Sequence, residues 1–136
     1  MFSYYIINMK LSDLELRIFT HIWELGGNAT IQEVLDSWAE EPKPQYTTIL
    51  KTLQILEAKR LVGHEKQGRA YRYIPLISKK EAMHSNLGGI LKTFFGGDKL
   101  AFAQTFISDN DFSASELTEL KRMLAQKEKE GGDAGH

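Results

Sequence analysis

Between Lys43 and Pro75 the chain changes its hydrophobic period once, and that change limits what it can fold into. In the first half, placing residues at steps of about 100° gathers Tyr46, Ile49, Leu50, Leu53 and Leu56 on one side. Thr47, Thr48, Lys51, Gln54 and Ile55 fall on the other. That spacing predicts an amphipathic helix. After Arg60 the period drops from about 3.6 to about 2. Leu61–Lys66 and Arg69–Ile74 then read as two short strands around Gln67-Gly68, where glycine supplies the positive φ of a tight hairpin.

Charge marks the same segment. Seven bases (Lys43, Lys51, Lys59, Arg60, Lys66, Arg69, Arg72) against two acids (Glu57, Glu65) give it +5, within a chain of 136 residues whose net charge is −1. Residues 12–41 offset it, with seven acids against Arg17 alone, a net −6. Contact with phosphate depends on the local patch and not on the average. A helix that feeds directly into a basic hairpin is how a winged helix meets DNA, so that fold is expected here.

Several function classes drop out. Without cysteine there is no disulfide, thiolate metal site or cysteine nucleophile. No apolar run approaches the roughly 20 residues of a membrane span. Residues 1–9 lack the basic start and small-residue cleavage site of a signal peptide, so a cytoplasmic protein without direct membrane insertion is expected. That aromatic leader stays unassigned, as an extension or an added strand, with Met9-Lys10-Leu11 a plausible alternative start. His21, His64, His84 and His136 show no paired spacing for a metal. Asp109 and Asp111 supply too few oxygens for a calcium loop. With no nucleophile motif, phosphate-cradling loop or paired carboxylates either, no enzyme, cofactor or metal site is expected.

Four helix starts carry one signature, a Ser or Thr followed three residues later by Glu: Ser12 and Glu15, Thr30 and Glu33, Ser78 and Glu81, Ser113 and Glu116. The first helix presents Leu14, Ile18, Ile22 and Leu25 and stops at Gly26-Gly27; the second presents Ile31, Val34, Leu35 and Trp38. Pro42 and Pro44 break the chain before the third. A short strand in Asn28–Thr30 is placed to pair with the hairpin. The expected fold is mainly α with a small β-hairpin wing: a winged helix-turn-helix over 10–77, then a helical domain over 78–126. The latter carries Met83, Leu87, Ile90, Leu91 and Phe94 on one stripe and Leu117, Leu120, Met123 and Leu124 on another. About 50 residues are too few to cover such stripes unaided, so a second copy is the expected partner. Residues 127–136 read as a disordered tail.

At this point the chain resembles the penicillinase-repressor family of bacterial winged-helix regulators, which also includes copper-responsive repressors. The matching residues are Leu11-Ser12-Asp13-Leu14-Glu15 through Trp23, Tyr46-Thr47-Thr48-Ile49 with Leu53 and Leu56, Glu57-Ala58-Lys59-Arg60-Leu61-Val62, Gly68-Arg69-Ala70-Tyr71-Arg72-Tyr73, Phe95-Gly96-Gly97 and Leu117-Thr118-Glu119-Leu120. The resemblance spans about residues 9–125. It implies a DNA-binding winged helix, a C-terminal dimerisation domain, and repression from a dyad-symmetric operator. It also implies a membrane-bound sensor protease as a candidate partner, cutting at the position matched here by Thr105-Phe106, where Thr105 replaces asparagine. Many members carry Arg in place of Ile55 and Gly in place of Arg60. The cysteine-rich tail of the copper-sensing branch is missing, which leaves copper sensing without support.

The candidate DNA-binding residues are Lys43, Tyr46, Thr47, Thr48, Lys51 and Thr52, with Lys66 and Arg69 beside the wing turn. Ile55 either meets a thymine methyl or packs on the hairpin, and packing is favoured slightly. Tyr71, Tyr73, Trp23 and Trp38 are read as core. The candidate dimerisation residues are Leu91, Phe94, Phe95, Phe102, Phe106, Leu117, Leu120 and Leu124. The alternative function is a winged-helix adaptor for protein–protein contact, whose face should be more apolar than this one.

Overall fold

The computed structural model describes residues 10–131, so the leader and the last residues of the expected tail lie outside the described residues. The order is α1 (Asp13–Glu24), α2 (Ile31–Ser37), α3 (Tyr46–Ala58), β1 (Val62–Gln67), β2 (Ala70–Pro75), α4 (Lys79–Phe95), α5 (Lys99–Asp109) and α6 (Ala114–Gly131). All four capping boxes form. In each, the carboxylate takes the cap backbone N–H and the hydroxyl takes the third amide, at 2.8–3.2 Å.

The strands pair antiparallel with Gln67 opposite Ala70, so the turn residues are Gly68 and Arg69, one position later than expected. Gly68 has φ +63° and Arg69 is not left-handed, the pattern of a two-residue turn with glycine first. The short strand expected near Asn28–Thr30 is a single bridge. Ala29 N–H donates to Tyr73 O at 3.1 Å, and Tyr73 N–H donates back at 2.8 Å.

The three helices and the hairpin share one core. Ile18, Phe19 and Ile22 of α1 are fully buried against Val34 of α2 and Ile49, Leu53 and Leu56 of α3, with Val62 and Tyr73 closing it from the wing. Each such aliphatic or Phe side chain contributes about 1.5–3 kcal/mol. Trp38 is buried as expected, while Trp23 is half-buried and stacks on Phe19 at 5.5 Å. Leu25, expected on the inner stripe of α1, is exposed, because it is the C-cap residue just past the last helical turn.

Arg60 ends α3 in a left-handed conformation, φ +63°. Its N–H donates to Glu57 O at 2.9 Å and Leu61 N–H donates to Leu56 O at 2.9 Å, the paired bonds of a Schellman cap. A side chain there costs about 1–2 kcal/mol, partly offset because glycine would lose more freedom on folding. Arg60→Gly should therefore raise unfolding stability by about 0.5–1 kcal/mol, read as a higher urea midpoint at unchanged m-value. A lower midpoint would show that the Arg60 side chain stabilises the fold by contacts that outweigh the strain.

The first part of α4 belongs to this assembly. Ala82 and Ser85 are buried, and Asn86 clasps the start of the fold: its Oδ1 accepts Leu11 N–H at 3.2 Å and its Nδ2 donates to Leu11 O at 3.1 Å. The chain accordingly divides at Phe94/Phe95, not at Ile77/Ser78 where the sequence texture changes. Past Phe95, Gly96 and Gly97 take positive φ and Asp98 caps α5 by accepting Ala101 N–H at 3.0 Å. Ring-edge contacts join Phe95 to Phe102 at 5.4 Å and Phe106 to Phe112 at 6.0 Å. No residue of α5 or α6 is buried. Residues 127–131, expected in a disordered tail, continue α6, with Gln126 donating one turn on to Glu130 at 2.8 Å. Among the described residues no helix is long and apolar enough to cross a membrane.

Candidate nucleic-acid interface

With Ile49, Leu53 and Leu56 turned inward, the opposite face of α3 reaches solvent. Thr47, Thr48, Lys51 and Gln54 are exposed there, with Tyr46 and Lys43 exposed at and before its first turn. Thr52 is half-buried and donates its hydroxyl hydrogen to Thr48 O at 2.8 Å, which leaves it only as an acceptor. Tyr46, placed on the inner stripe by period alone, is 49% exposed because it lies at the helix mouth. The start of α3 lacks the capping box used elsewhere. Gln45 lends its backbone oxygen to Thr48 and Ile49 N–H, but its side chain makes no cap bond. First-turn amides are thus left for an outside acceptor, at the positive end of the helix dipole.

The wing is fixed on both faces. On one, Arg72 donates to Asn28 Oδ1 at 2.8 Å, to the Glu33 carboxylate at 2.8 and 3.3 Å, and to Gln67 Oε1 at 3.2 Å. Thr30 N–H and then Arg72 hold the Glu33 carboxyl below its ordinary range. On the other, His64 Nδ1 lies 2.6 Å from Glu57 Oε2, and its ring packs on Tyr71 at 4.5 Å and Tyr73 at 5.9 Å. Burial, and secondly Glu57, raise the Tyr73 pKa. Tyr71 is 45% exposed and so is not core: His64 and not the protein interior receives its ring.

This arrangement sorts the bases. Arg72 faces inward to Glu33, and Lys59 Nζ lies 3.8 Å from the largely buried Glu15. Lys43, Lys51, Lys66 and Arg69 are exposed, and among the described residues none has an ion-pair partner. These four, all candidates from the sequence, and Arg60, equally exposed and without an ion-pair partner among the described residues, are the charges left over for phosphate.

Counting charge could not separate these roles. The pairing of Arg72 with Asn28 and Glu33 is long-range, and the only local signal was its alternation with Tyr71 and Tyr73. Ile55 departs from the packing favoured above: it is 46% exposed. Glu57 reaches the wing, and a residue two positions earlier points about 200° away from it. His21 stacks on Trp38 at 4.4 Å, with Ser37 Oγ at 2.8 Å from Nδ1. No group of three potential metal ligands occurs among the described residues.

Of the candidate dimerisation residues, half-buried Leu91 and exposed Phe94 lie at the end of the first unit, while in the second Phe106, Leu117 and Leu124 are exposed and Phe95, Phe102 and Leu120 are half-buried. The Thr105–Phe106 bond lies inside α5, where the backbone is helical and not extended.

A profile of the penicillinase repressor matches residues 11–126, taking in both units. The chain belongs to the penicillinase repressor family. Among its relatives, the penicillinase repressor of Bacillus licheniformis is 25% identical over 120 residues, covering 86% of this chain and 91% of that one. The transcriptional regulator BlaI of Mycobacterium tuberculosis is 28% identical over 128 residues, covering 93% and 88%. A solution structure of the DNA binding domain of the repressor BlaI is similar at 28% identity and TM-score 0.46, over 54% of this chain and 93% of that one.

Proposed function

We propose that this penicillinase repressor homologue represses transcription by binding duplex DNA as a homodimer on a dyad-symmetric operator. The observation that carries the reading is the outward face of α3, where polar side chains, an uncapped first turn and unpaired bases occur together. Thr47, Thr48, Lys51 and Gln54 have the size and donors to enter a major groove, and Lys43, Lys66 and Arg69 suit phosphate on either side. The names of the relatives, a repressor and a transcriptional regulator, support the same function. Dimerisation through residues 78–126 is supported by apolar side chains, Phe94 at 75% and Leu124 at 65% exposure, that a single chain leaves in water. Two copies joined by a two-fold axis would present two α3 helices to two half-sites, hence the dyad.

Selection from random duplexes should recover an inverted repeat with half-sites about 10 base pairs or a multiple apart, and salt should release the protein steeply. Recovery of no enriched sequence, with salt-independent retention, would favour the adaptor reading.

A further inference from the structure

We infer that Ile55 is a specificity-determining residue that recognises the 5-methyl group of a thymine in each operator half-site. The inference rests on the DNA-binding reading above and goes beyond it by assigning one base and one chemical group. The other side chains of the outward face of α3 are Thr47, Thr48, Lys51 and Gln54, all polar. Ile55, at the C-terminal end of that set, is its one large aliphatic side chain, and it stands 46% exposed. No stability argument keeps it there. The core is closed by Ile49, Leu53 and Leu56, all fully buried on the other side of the helix. The wing is anchored through Glu57, about 200° around the helix from Ile55.

A single exposed isoleucine is ordinary on a protein surface, but on a face that enters a groove it meets whatever apolar group the groove offers. In a major groove the apolar group on offer is the thymine methyl, the only methyl among the four unmodified bases. Lys51 and Ile55 are one turn apart on the same stripe, about 6 Å along the axis, which corresponds to one or two base steps of about 3.4 Å. The thymine should therefore lie one or two positions from the base pair that Lys51 meets.

The experiment uses the full-length chain and an operator obtained by selection, in which each thymine is replaced in turn by deoxyuridine. Pairing is kept and only one methyl is removed. Wild type should lose about four-fold in affinity per half-site at one thymine, the value of one buried methyl. Ile55→Ala should bind the original operator that much more weakly and be indifferent to uracil at that position. Ile55→Val, which keeps the branched methyls, should recover the sensitivity. Because Ile55 is outside the core, all three proteins should melt alike, so a change in binding cannot be assigned to unfolding. Wild type indifferent to every uracil, or Ile55→Ala as sensitive as wild type, would overturn the inference while leaving DNA binding intact. Failure to select any duplex would be seen before uracil is introduced and would overturn both readings together.

Discussion

Cutting the chain after Phe94 should leave a folded monomer whose operator affinity is lower by about 100- to 10,000-fold. Every core residue from Leu11 to Ala82 is kept by that cut, as are the two hydrogen bonds between Asn86 and Leu11. What is lost is the segment that buries nothing by itself. Each half-site must then be bound by a separate molecule, and the gain from linking two weak contacts disappears. Sedimentation should report a monomer for the fragment and a dimer for the full chain at micromolar concentration, and gel shifts should report the affinities. A full-length protein that sediments as a monomer would remove the dimer from the mechanism. Cutting after Pro75 is a poorer experiment, because it strips Ile77 and Ala82 from the core and leaves Leu11 without its clasp.

The next largest effect is expected at Lys51. It sits in the middle of the outward face of α3, exposed and without a partner among the described residues. If it donates to a base edge, Lys51→Ala should cost about 1–3 kcal/mol per half-site and relax preference at one position of the selected site. If it meets phosphate, affinity should fall evenly for operator and random DNA, and the salt slope should shrink by about one per half-site. Thermal stability should not move in either case. Unchanged affinity for both DNAs would take this helix out of the interface.

Local rules made most of the first unit legible in its sequence. The capping boxes at Ser12, Thr30, Ser78 and Ser113 each depend on residues three apart, and each formed. The switch of period located both strands to within a residue and placed α3 directly before them. What could not be read depends on contacts across the chain. Arg72 adds to the segment's +5 in sequence, yet Asn28 and Glu33, some forty positions earlier, hold it. Tyr71 and Tyr73 alternate in step, yet only Tyr73 is buried, because His64 shields Tyr71 and Ala29 bridges to Tyr73. The boundary at Phe94 was hidden in the same way, since Asn86 is one polar residue in a long helix and its partner is at the start of the fold. At the candidate interface, the residues on α3 follow from its period, while the ion pairs that occupy Arg72 and Lys59 are long-range and show only in the fold.

Helices α5 and α6 bury no residue within one chain, and this bears on how much repressor a cell keeps. If copies pair as proposed, a lone copy would expose helices that quality-control proteases can engage, whereas a paired copy would hide them. Dilution would then lower abundance as well as occupancy, because chains that part are also chains that are cleared. Expression close to the pairing threshold would switch its target genes more sharply than binding alone allows, and the lifetime of the protein would lengthen as its concentration rises.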